Sequence, residues 1–309
     1  MLTGKHCVEQ ESGEHMATAA TSKAPRVAVI TGASSGIGLS AARMLASQGW
    51  HVIGTGRDPQ RTASAEAQLR AAAAPGARTD MIRVDLALMA DSARAADQIC
   101  ALTDRVDVLI NNAGGTARER VVTAEGNEAT FAGNHLGHFI LTRRLLPLLR
   151  HAAADSPRGA TRIINVSSRA HETAPGLDWN NLQMIEGFVP IKAYCNVKLA
   201  NLLFTRVLSE QLAKDGIVVH AMHPGIVDSN FLTHADDGTQ SYLKKMPMVS
   251  PDEAADTLVW LATAAEPGGS TNGYFYQRQA APTTDAAKDS QVAQRLWRES
   301  EKLAAGVLG

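Results

Sequence analysis

Apolar residues follow one repeating pattern from Arg26 onward. Short β-branched runs alternate with Ala-rich segments of helical length, a spacing typical of βαβ units around a parallel sheet. The runs predict seven strands, at Val27–Thr31, His51–Thr55, Met81–Val84, Val106–Asn111, Arg162–Val166, Ile217–Met222 and Tyr274–Tyr276. The intervening segments predict helices near Ile37–Gln48, Pro59–Ala73, Ala90–Leu102, Phe131–Leu149, Ala193–Lys214, Pro251–Ala264 and Ser290–Ala305, the last docked by Trp297. We therefore expect an α/β protein with a single-domain, doubly wound sheet of about seven parallel strands and helices on both faces.

Two segments depart from this pattern. Residues 1–24 are polar and have no hydrophobic period, so we expect a flexible N-terminal extension before a domain spanning 25–309. Residues 229–249 also lack a clean period, yet they contain Phe231 and Leu232 among other large apolar side chains. So long an excursion in a compact domain is a candidate substrate lid, and an ordinary surface helix and loop is the alternative.

Composition and charge exclude several classes of protein. The chain has 309 residues, 45% apolar and 20% charged, which is enough for a sizeable core and too apolar for general disorder. Its 30 Lys and Arg balance 31 Asp and Glu without a basic block, so we expect no nucleic-acid partner. No apolar run approaches the roughly 18 residues of a membrane span, and no signal pattern opens the chain. We expect a cytoplasmic protein without a membrane partner, whose scattered Cys7, Cys100 and Cys195 are reduced.

A glycine-rich turn connects the first predicted strand to the first predicted helix. Residues 31–38 read TGASSGIG, at the place where backbone N–H groups and a positive helix end can hold a dinucleotide pyrophosphate. The spacing is G-x-x-x-G-x-G and differs from the G-x-G-x-x-G fingerprint, so the prediction depends on the strand-turn-helix context. A glycine-rich turn without a ligand is the alternative.

The end of the second predicted strand bears on the choice of cofactor. An acidic residue there would favour NAD, and an arginine nearby would favour the 2′-phosphate of NADP. The sequence GTGRDP ends in Asp58 and Pro59, the signature of a helix N-cap with proline in the first turn. We assign Asp58 to capping, which leaves Gly56 at the position of the acid and Arg57 for the 2′-phosphate. NADP(H) is thus the expected cofactor and NAD(H) is possible, with two alternatives: Asp58 as ribose ligand, or Arg57 as a surface residue without this role.

Polar residues with catalytic potential cluster after other strands. Tyr194 and Lys198 are four residues apart in a helical stretch, so they share a face, and a cation lowers the pKa of a nearby tyrosine from ~10. Ser168 follows the fifth predicted strand, residues 111–114 read NNAG after the fourth, and Asn134 lies early in the next helix. Each alone also fits turn chemistry or helix capping. Their joint order along the chain is the informative feature.

Taken together, these motifs resemble the short-chain dehydrogenase/reductase superfamily over about residues 26–280. The matching strings, in order, are TGASSGIG at 31–38, NNAG at 111–114, NHLGHF at 134–139, INVSS at 164–168, YCNVK at 194–198 and HPG at 223–225. The longer strings FAGNHLGHFILT, IINVSSRAH and AYCNVKLANLLFTR are most similar to the retinol dehydrogenase-like branch. The resemblance implies a Rossmann-type fold and hydride transfer between a nicotinamide and a lipophilic aldehyde, ketone or alcohol.

The resemblance also implies a role for each motif residue. Tyr194 would be the general acid or base, and Lys198 would lower its pKa and hold the nicotinamide ribose. Ser168 would polarise the carbonyl, and Asn134 would support a proton-relay water. The implied cofactor-binding residues are Gly32, Ser34, Ser35, Gly36, Ile37, Gly38, Asp85, Leu86, Asn112, Ala113, Gly114, Pro224, Gly225, Val227 and Ser229, with Arg57, Tyr194 and Lys198.

Some alternatives stay open on the sequence. A nucleotide-sugar epimerase or dehydratase would use the same Tyr and Lys, but such relatives usually have a different glycine spacing and a larger C-terminal domain. A non-catalytic dinucleotide sensor would not need Ser, Tyr, Lys and Asn together. His135 and His138 are two ligands without a third, so we expect packing and no metal site. The long helices near 131–149 and 193–214 offer faces for a homo-oligomer, a symmetric dimer or tetramer.

Overall fold

The computed structural model describes residues 25–228, 236–243 and 245–308. The expected extension 1–24, with Cys7, lies outside the described residues, and so do Ser229 and the other lid residues at 230–235 and 244. No helix in the described ranges is long and apolar enough to cross a membrane.

In these ranges eight strands form one sheet in the order β3-β2-β1-β4-β5-β6-β7-β8. Seven of them are parallel: β1 (Val27–Ile30), β2 (His51–Gly56), β3 (Thr79–Arg83), β4 (Val108–Asn111), β5 (Arg162–Val166), β6 (Val218–Met222) and β7 (Tyr274–Tyr276). The order reverses between β1 and β4, and crevices at such switch points are where open α/β sheets bind ligands. The predicted doubly wound fold with seven parallel strands is confirmed.

The eighth strand was not predicted from the sequence. β8 (Gln279–Ala280) pairs antiparallel with β7 at the sheet edge. The connecting residues, Gln277 and Arg278, both have positive φ angles, 47° and 59°. Such two-residue turns usually contain Asn-Gly or Asp-Gly. Neither residue type occurs here, so the hairpin has no local sequence signal.

Helices cover both faces of the sheet. Their bounds are α1 (Gly36–Ser47), α2 (Pro59–Ala72), α3 (Met89–Leu102), α4 (Ala129–Phe131), α5 (Gly137–Ala154), α6 (Pro190–Leu212), α7 (Asp237–Leu243), α8 (Pro251–Thr263), α9 (Asp285–Lys288) and α10 (Ser290–Leu308). Along β1, Val27 and Val29 join the core beneath α3, α5, α6 and α10, whereas Ala28 and Ile30 join the core beneath α1 and α8. Burial on both faces explains why the parallel strands read as continuous apolar runs.

The C-terminal helix α10 packs across α5 and α6. Trp297 lies with its ring centroid 4.9 Å from that of Phe139 and 6.0 Å from that of Phe204, which confirms the predicted docking. Ser300 adds a buried hydrogen bond, with its Oγ 2.8 Å from His135 Nε2. The helices that the sequence suggests for an oligomer interface therefore bury part of their apolar surface within the chain.

Candidate active site

The turns after β1 and β4 are joined by side-chain hydrogen bonds. Thr31 Oγ1 accepts from the backbone N–H groups of Asn112 (2.9 Å) and Ala113 (3.0 Å), and Asn112 Nδ2 donates to Thr31 O (2.8 Å). Gly32 has φ +68°, and a Cβ there would lie 2.9 Å from Ala113 Cα. A Cβ on Gly38 would lie 2.3 Å from Gly32 O. Glycine is thus required at both positions for the two turns to meet.

The turn at residues 31–38 and the turn after β4 together form a glycine cradle that fits a dinucleotide pyrophosphate. Helix α1 begins at Gly36, its N-cap Ser35 makes no side-chain capping bond, and its first turn contains no acidic residue. The first backbone N–H groups of α1 therefore lack a side-chain acceptor, at the end of the helix that favours negative charge. The sequence-predicted residues Gly32, Ser34, Ile37 and Gly38 all belong to this turn.

The end of β2 has no room for a side chain at position 56. A Cβ on Gly56 would lie 2.4 Å from Thr62 Oγ1 and 2.7 Å from Ser34 Cβ. Asp58 caps α2, with its Oδ1 accepting from Arg61 N–H at 2.8 Å, as predicted from the sequence. Arg57 is exposed. An acid at position 56 is therefore excluded sterically, and Arg57 is left facing solvent beside the cradle.

Arg83, a second arginine at the end of β2, was not predicted from the sequence. Arg83 is the last residue of β3 and is in register with Gly56, and its Nε donates to Arg57 O at 3.4 Å. Two arginines therefore lie at the end of β2. Only the strand order brings β3 against β2, so no local motif could have revealed the pair.

Asp85 and Leu86, which the resemblance implies as cofactor-binding residues, follow β3 at the same edge of the sheet. Asp85 Oδ1 accepts from the backbone N–H of Ala87 at 3.0 Å, and Leu86 is buried. A Cβ on Gly137 would lie 2.2 Å from Leu86 O, so the loop packs directly against the start of α5. This contact fixes the loop beside the cradle.

Ser168, Tyr194 and Lys198 come together across the ends of β5 and α6. Ser168 follows β5, its Oγ accepts from Ala170 N–H (3.1 Å), and its side chain is hydrogen-bonded to that of Tyr194. Lys198 lies one helical turn beyond Tyr194, with its Nζ 5.4 Å from the centroid of the tyrosine ring. Lys198 Nζ also donates to Val166 O at 3.3 Å. The sequence-predicted spacing is thus realised on one face of α6.

Burial sets the ionisation of this group. The pKa of Lys198, which is only 3% exposed, is lowered to about 8 by loss of hydration. Loss of hydration also raises the pKa of Tyr194, and its hydrogen bond with Ser168 opposes this only in part. In this structure the effect of burial outweighs that of the hydrogen bond, and the role of Lys198 in lowering the pKa of Tyr194 stays a prediction. A phenol that keeps its proton at neutral pH is suited to donating it.

Asn134 lies in an irregular stretch that the sequence predicted as ordinary helix. Between α4 and α5, residues 132–136 form one turn of π-helix. The Asn134 side chain points from this turn to the loop at the end of β4. Its Oδ1 accepts from Gly115 N–H (3.1 Å), and its Nδ2 donates to Gly115 O (2.9 Å) and Thr130 O (2.8 Å). A Cβ on Gly114 would lie 2.6 Å from Asn134 Oδ1 and 3.2 Å from Lys198 Nζ. The asparagine therefore sits between the cradle and the lysine.

The segment after β6 borders the site on its other side. Gly225 has φ +79° and donates its N–H to His223 Nδ1 at 3.3 Å, next to Pro224. Val227 pairs with Val249 in an isolated parallel bridge. This bridge joins Val249, the last residue of the candidate lid, to the segment after β6. Helix α7 contacts the loop after β4 through an ion pair of Asp237 with Arg118 (3.5 Å).

The two histidines of NHLGHF are used in packing. His138 Nε2 lies 2.9 Å from Thr31 Oγ1, and burial lowers the pKa of His138 to about 4. The same cause lowers the pKa of His135 to about 3. Within the described ranges, no group of three or more His, Cys, Asp and Glu is arranged to hold a metal ion.

The site combines a glycine cradle at the switch point of the sheet with a Ser-Tyr pair and a buried lysine. This combination is typical of nicotinamide-dinucleotide oxidoreductases with a Rossmann-type sheet. The model of the short chain dehydrogenase family matches residues 26–240 of this chain. The chain belongs to the short-chain dehydrogenase family, and it is an oxidoreductase acting on CH–OH or C=O groups. This argues against an epimerase and against a non-catalytic sensor.

Curated relatives resemble the chain over nearly its whole length. Human retinol dehydrogenase 13 is 35% identical over 287 residues, covering 90% of this chain and 84% of that protein. Short-chain dehydrogenase TIC 32 B of Brassica napus, a chloroplastic protein, is 34% identical over 283 residues, covering 89% and 88%. The predicted membership of the retinol dehydrogenase-like branch is confirmed.

A solved structure supports the kind of cofactor. The Pseudomonas aeruginosa RhlG/NADP active-site complex is 28% identical, covers 81% of this chain and 93% of its own, and has a TM-score of 0.64. Together with the cradle, this likeness identifies a nicotinamide dinucleotide as the cofactor of the fold.

Proposed function

We propose that the protein is an NADP(H)-dependent oxidoreductase that transfers hydride between the nicotinamide and the carbonyl or alcohol carbon of a lipophilic small molecule. The observation that carries this proposal is the hydrogen-bonded pair Ser168 and Tyr194 with buried Lys198 beside it, at the edge of the sheet that holds the glycine cradle.

Each residue of this group has a task in the proposed reaction. When bound, the nicotinamide supplies or accepts the hydride. Tyr194 donates its hydroxyl proton to the substrate oxygen in reduction and takes it back in oxidation. Ser168 Oγ hydrogen-bonds the same oxygen and stabilises the charge that develops there. Lys198 places a positive charge one turn from the phenol and, by resemblance to the family, holds the nicotinamide ribose.

Asn134 acts on this group from the backbone side. Its amide bonds hold Gly115 and Thr130, and so position the end of β4 next to Lys198. The relay water that the resemblance implies would add to this role. The remaining cofactor contacts of the proposal, at Asn112, Ala113, Gly114, Pro224, Gly225 and Val227, are parts of the two segments that border the cleft.

The preference for NADP(H) is supported by the end of β2. Position 56 cannot carry the acidic side chain that would bind an NAD ribose, because a Cβ there would collide with Thr62 and Ser34. Arg57 directly follows Gly56, and Arg83 Nε donates to Arg57 O, so both arginines lie at the end of β2, where the proposal puts the adenosine ribose. Guanidinium groups bind phosphate with paired, charge-assisted hydrogen bonds.

A lipophilic substrate is supported by exposed apolar side chains in three segments of the chain. The large hydrophobic residues that the described ranges leave exposed are Val121, Val122, Val189, Ile191, Met246 and Met248. They belong to the loop after β4, the start of α6 and the end of the candidate lid. The relatives named retinol dehydrogenase point to the same substrate class.

The test is a reductase assay on a panel of lipophilic aldehydes and ketones, including the aldehyde of retinol, with NADPH and NADH in parallel. Oxidation of NADPH by lipophilic members of the panel, abolished in Tyr194→Phe, is the expected result. Equal or better rates with NADH would overturn the cofactor preference. No turnover of any carbonyl, or equal turnover by Tyr194→Phe, would overturn the assignment of the site.

A further inference from the structure

His171 is a buried histidine beside Ser168 that the proposed chemistry does not use. It lies in the 3₁₀ turn Arg169–Thr173, which starts directly after Ser168, and it is 1% exposed. Its ring Nδ1 is 2.7 Å from Ser168 O, and its backbone N–H donates to the same oxygen at 3.2 Å. Because a carbonyl oxygen can only accept, Nδ1 must carry a proton. One residue therefore holds the Ser168 carbonyl with two donors.

The other side of the His171 ring faces an aromatic neighbour. The rings of His171 and Tyr274 meet edge to face, with centroids 5.3 Å apart and planes at 88°. His171 Nε2 and Tyr274 Oη are both buried without a hydrogen-bond partner among the described residues. The tyrosine ring thus restricts rotation of the imidazole and keeps Nδ1 directed at Ser168.

Packing alone does not explain an imidazole at this position. A buried nitrogen without a partner costs free energy that an apolar side chain of similar size would avoid. What the imidazole provides, and an apolar side chain cannot, is the Nδ1–H bond to Ser168. The function of His171 must therefore be sought in what that bond holds.

We propose that His171 is a positioning residue for the Ser168–Tyr194 pair, an inference that rests on the proposed function. Its Nδ1–H bond fixes the peptide that follows Ser168, and that peptide sets the direction of Ser168 Oγ. The Oγ atom must reach both Tyr194 and the substrate oxygen, so a small rotation of the peptide weakens both contacts. Misplacement of reacting groups by about 1 Å can cost on the order of 100-fold in rate.

Three substitutions separate this role from simple packing. In His171→Asn the side-chain NH₂ takes nearly the place of Nδ1, in His171→Gln it lies one bond further out, and His171→Leu has no donor. We expect His171→Asn to keep kcat within about 3-fold of the wild type. His171→Gln and His171→Leu should lower kcat by about 10- to 100-fold, with KM and the Kd for NADPH changed less than about 3-fold.

His220→Leu is the matched control. His220 is 0% exposed, its ring Nε2 is 2.8 Å from Pro267 O, and it meets Phe275 edge to face with centroids 5.1 Å apart. It resembles His171 in burial and in its aromatic contact with β7, but it makes no bond to Ser168. The variant should lower the melting temperature and leave kcat unchanged.

A readout without turnover tests the same contact. In protein labelled with ¹³C at the tyrosine ζ carbon, the Tyr194 resonance, assigned by its loss in Tyr194→Phe, reports the hydrogen bond of the phenol. It should shift in His171→Leu and His171→Gln and stay in place in His171→Asn and His220→Leu. An unmoved resonance in His171→Leu overturns the inference, as does equal loss of kcat in all three His171 variants. An inactive wild type overturns the proposed function instead, and the resonance still decides the role of His171.

Discussion

The two halves of the candidate site are built on different principles. The cradle after β1 and β4 depends on close approach of two turns: Gly32 and Gly38 leave no room for a Cβ, and Thr31 and Asn112 join the turns by hydrogen bonds. The group after β5 and on α6 is made of side chains, and the ionisation of Lys198 and Tyr194 is controlled by burial. Binding in the cradle thus depends on the shape of the backbone, whereas the ionisation of the catalytic group depends on how deeply its side chains are buried.

The two halves of the site therefore tolerate different substitutions. A substitution in the catalytic group that keeps shape but removes a proton should stop chemistry and leave the cofactor bound. A substitution at the edge of the cradle that removes a charge should change which cofactor binds and leave chemistry intact.

Tyr194→Phe should lower kcat by about 10²–10⁴-fold, because the hydroxyl is the proposed proton donor and no other acid is assigned. The phenyl ring keeps its packing, so the Kd for NADPH measured by fluorescence titration should be nearly unchanged. Cys195→Ala, the next position on the helix, serves as control and should stay close to wild-type rates. A Tyr194→Phe enzyme with more than a tenth of wild-type activity would contradict the separation.

Lys198→Met should stabilise the protein at neutral pH while it lowers activity. The folded-state pKa of Lys198 is about 8, against an ordinary 10.5, so the folded state disfavours the charged form. The lowered pKa of Lys198 therefore reduces the free energy of unfolding, and this reduction is complete below about pH 8. It disappears as the pH rises from about 8 to 10.5, where only the unfolded chain still binds the proton. Denaturant unfolding should show a gain on the order of 3 kcal/mol at pH 7 that shrinks over that range.

The control for this measurement is Lys192→Met, on the same helix but exposed, which should leave the free energy of unfolding unchanged within about 0.5 kcal/mol. A stability difference between wild type and Lys198→Met that does not vary with pH would mean that Lys198 is not held in a dehydrated site.

Arg57→Ala should weaken binding of NADPH and of 2′,5′-ADP by about 10- to 150-fold, the loss of a charge-assisted bond of about 1.5–3 kcal/mol. Arg83→Ala should act in the same direction. Neither should alter binding of NADH, because it lacks the phosphate. Arg70→Ala, an exposed arginine paired with Glu66 on α2, is the matched control. Unchanged affinity for 2′,5′-ADP in Arg57→Ala and Arg83→Ala would remove the basis of the NADP preference.

Asp58→Ala should cost about 1 kcal/mol of stability through loss of the N-cap of α2 and leave both cofactors bound as before. Melting curves and NADH titration check the two parts of this statement. If Asp58 were instead the ribose ligand, the variant would lose affinity for NADH, and the assignment of Asp58 to capping would fall.

The glycine cradle and most of the fold could be predicted from the sequence, because their signals are local. The strand-turn-helix at 31–38 and the Asp58-Pro59 cap each lie within a few residues, and the structure shows both as expected. The edge hairpin at Gln277 and Arg278 could not be predicted, because it uses positive φ angles at residues that rarely adopt them. The π turn around Asn134 was missed for a similar reason, since its hydrophobic period resembles that of an ordinary helix.

By itself, the sequence determined the order of strands and helices, the glycine turn and the spacing of Tyr194 and Lys198, because each follows from neighbours along the chain. Three features emerge only on folding: Arg83 beside Arg57, the hydrogen bond of His171 to Ser168, and the dehydration of Lys198. The first depends on which strands are adjacent, and the third on which helices and loops exclude water from the lysine. The second joins residues only three apart, but it depends on the 3₁₀ turn after β5, which was not predicted from the sequence.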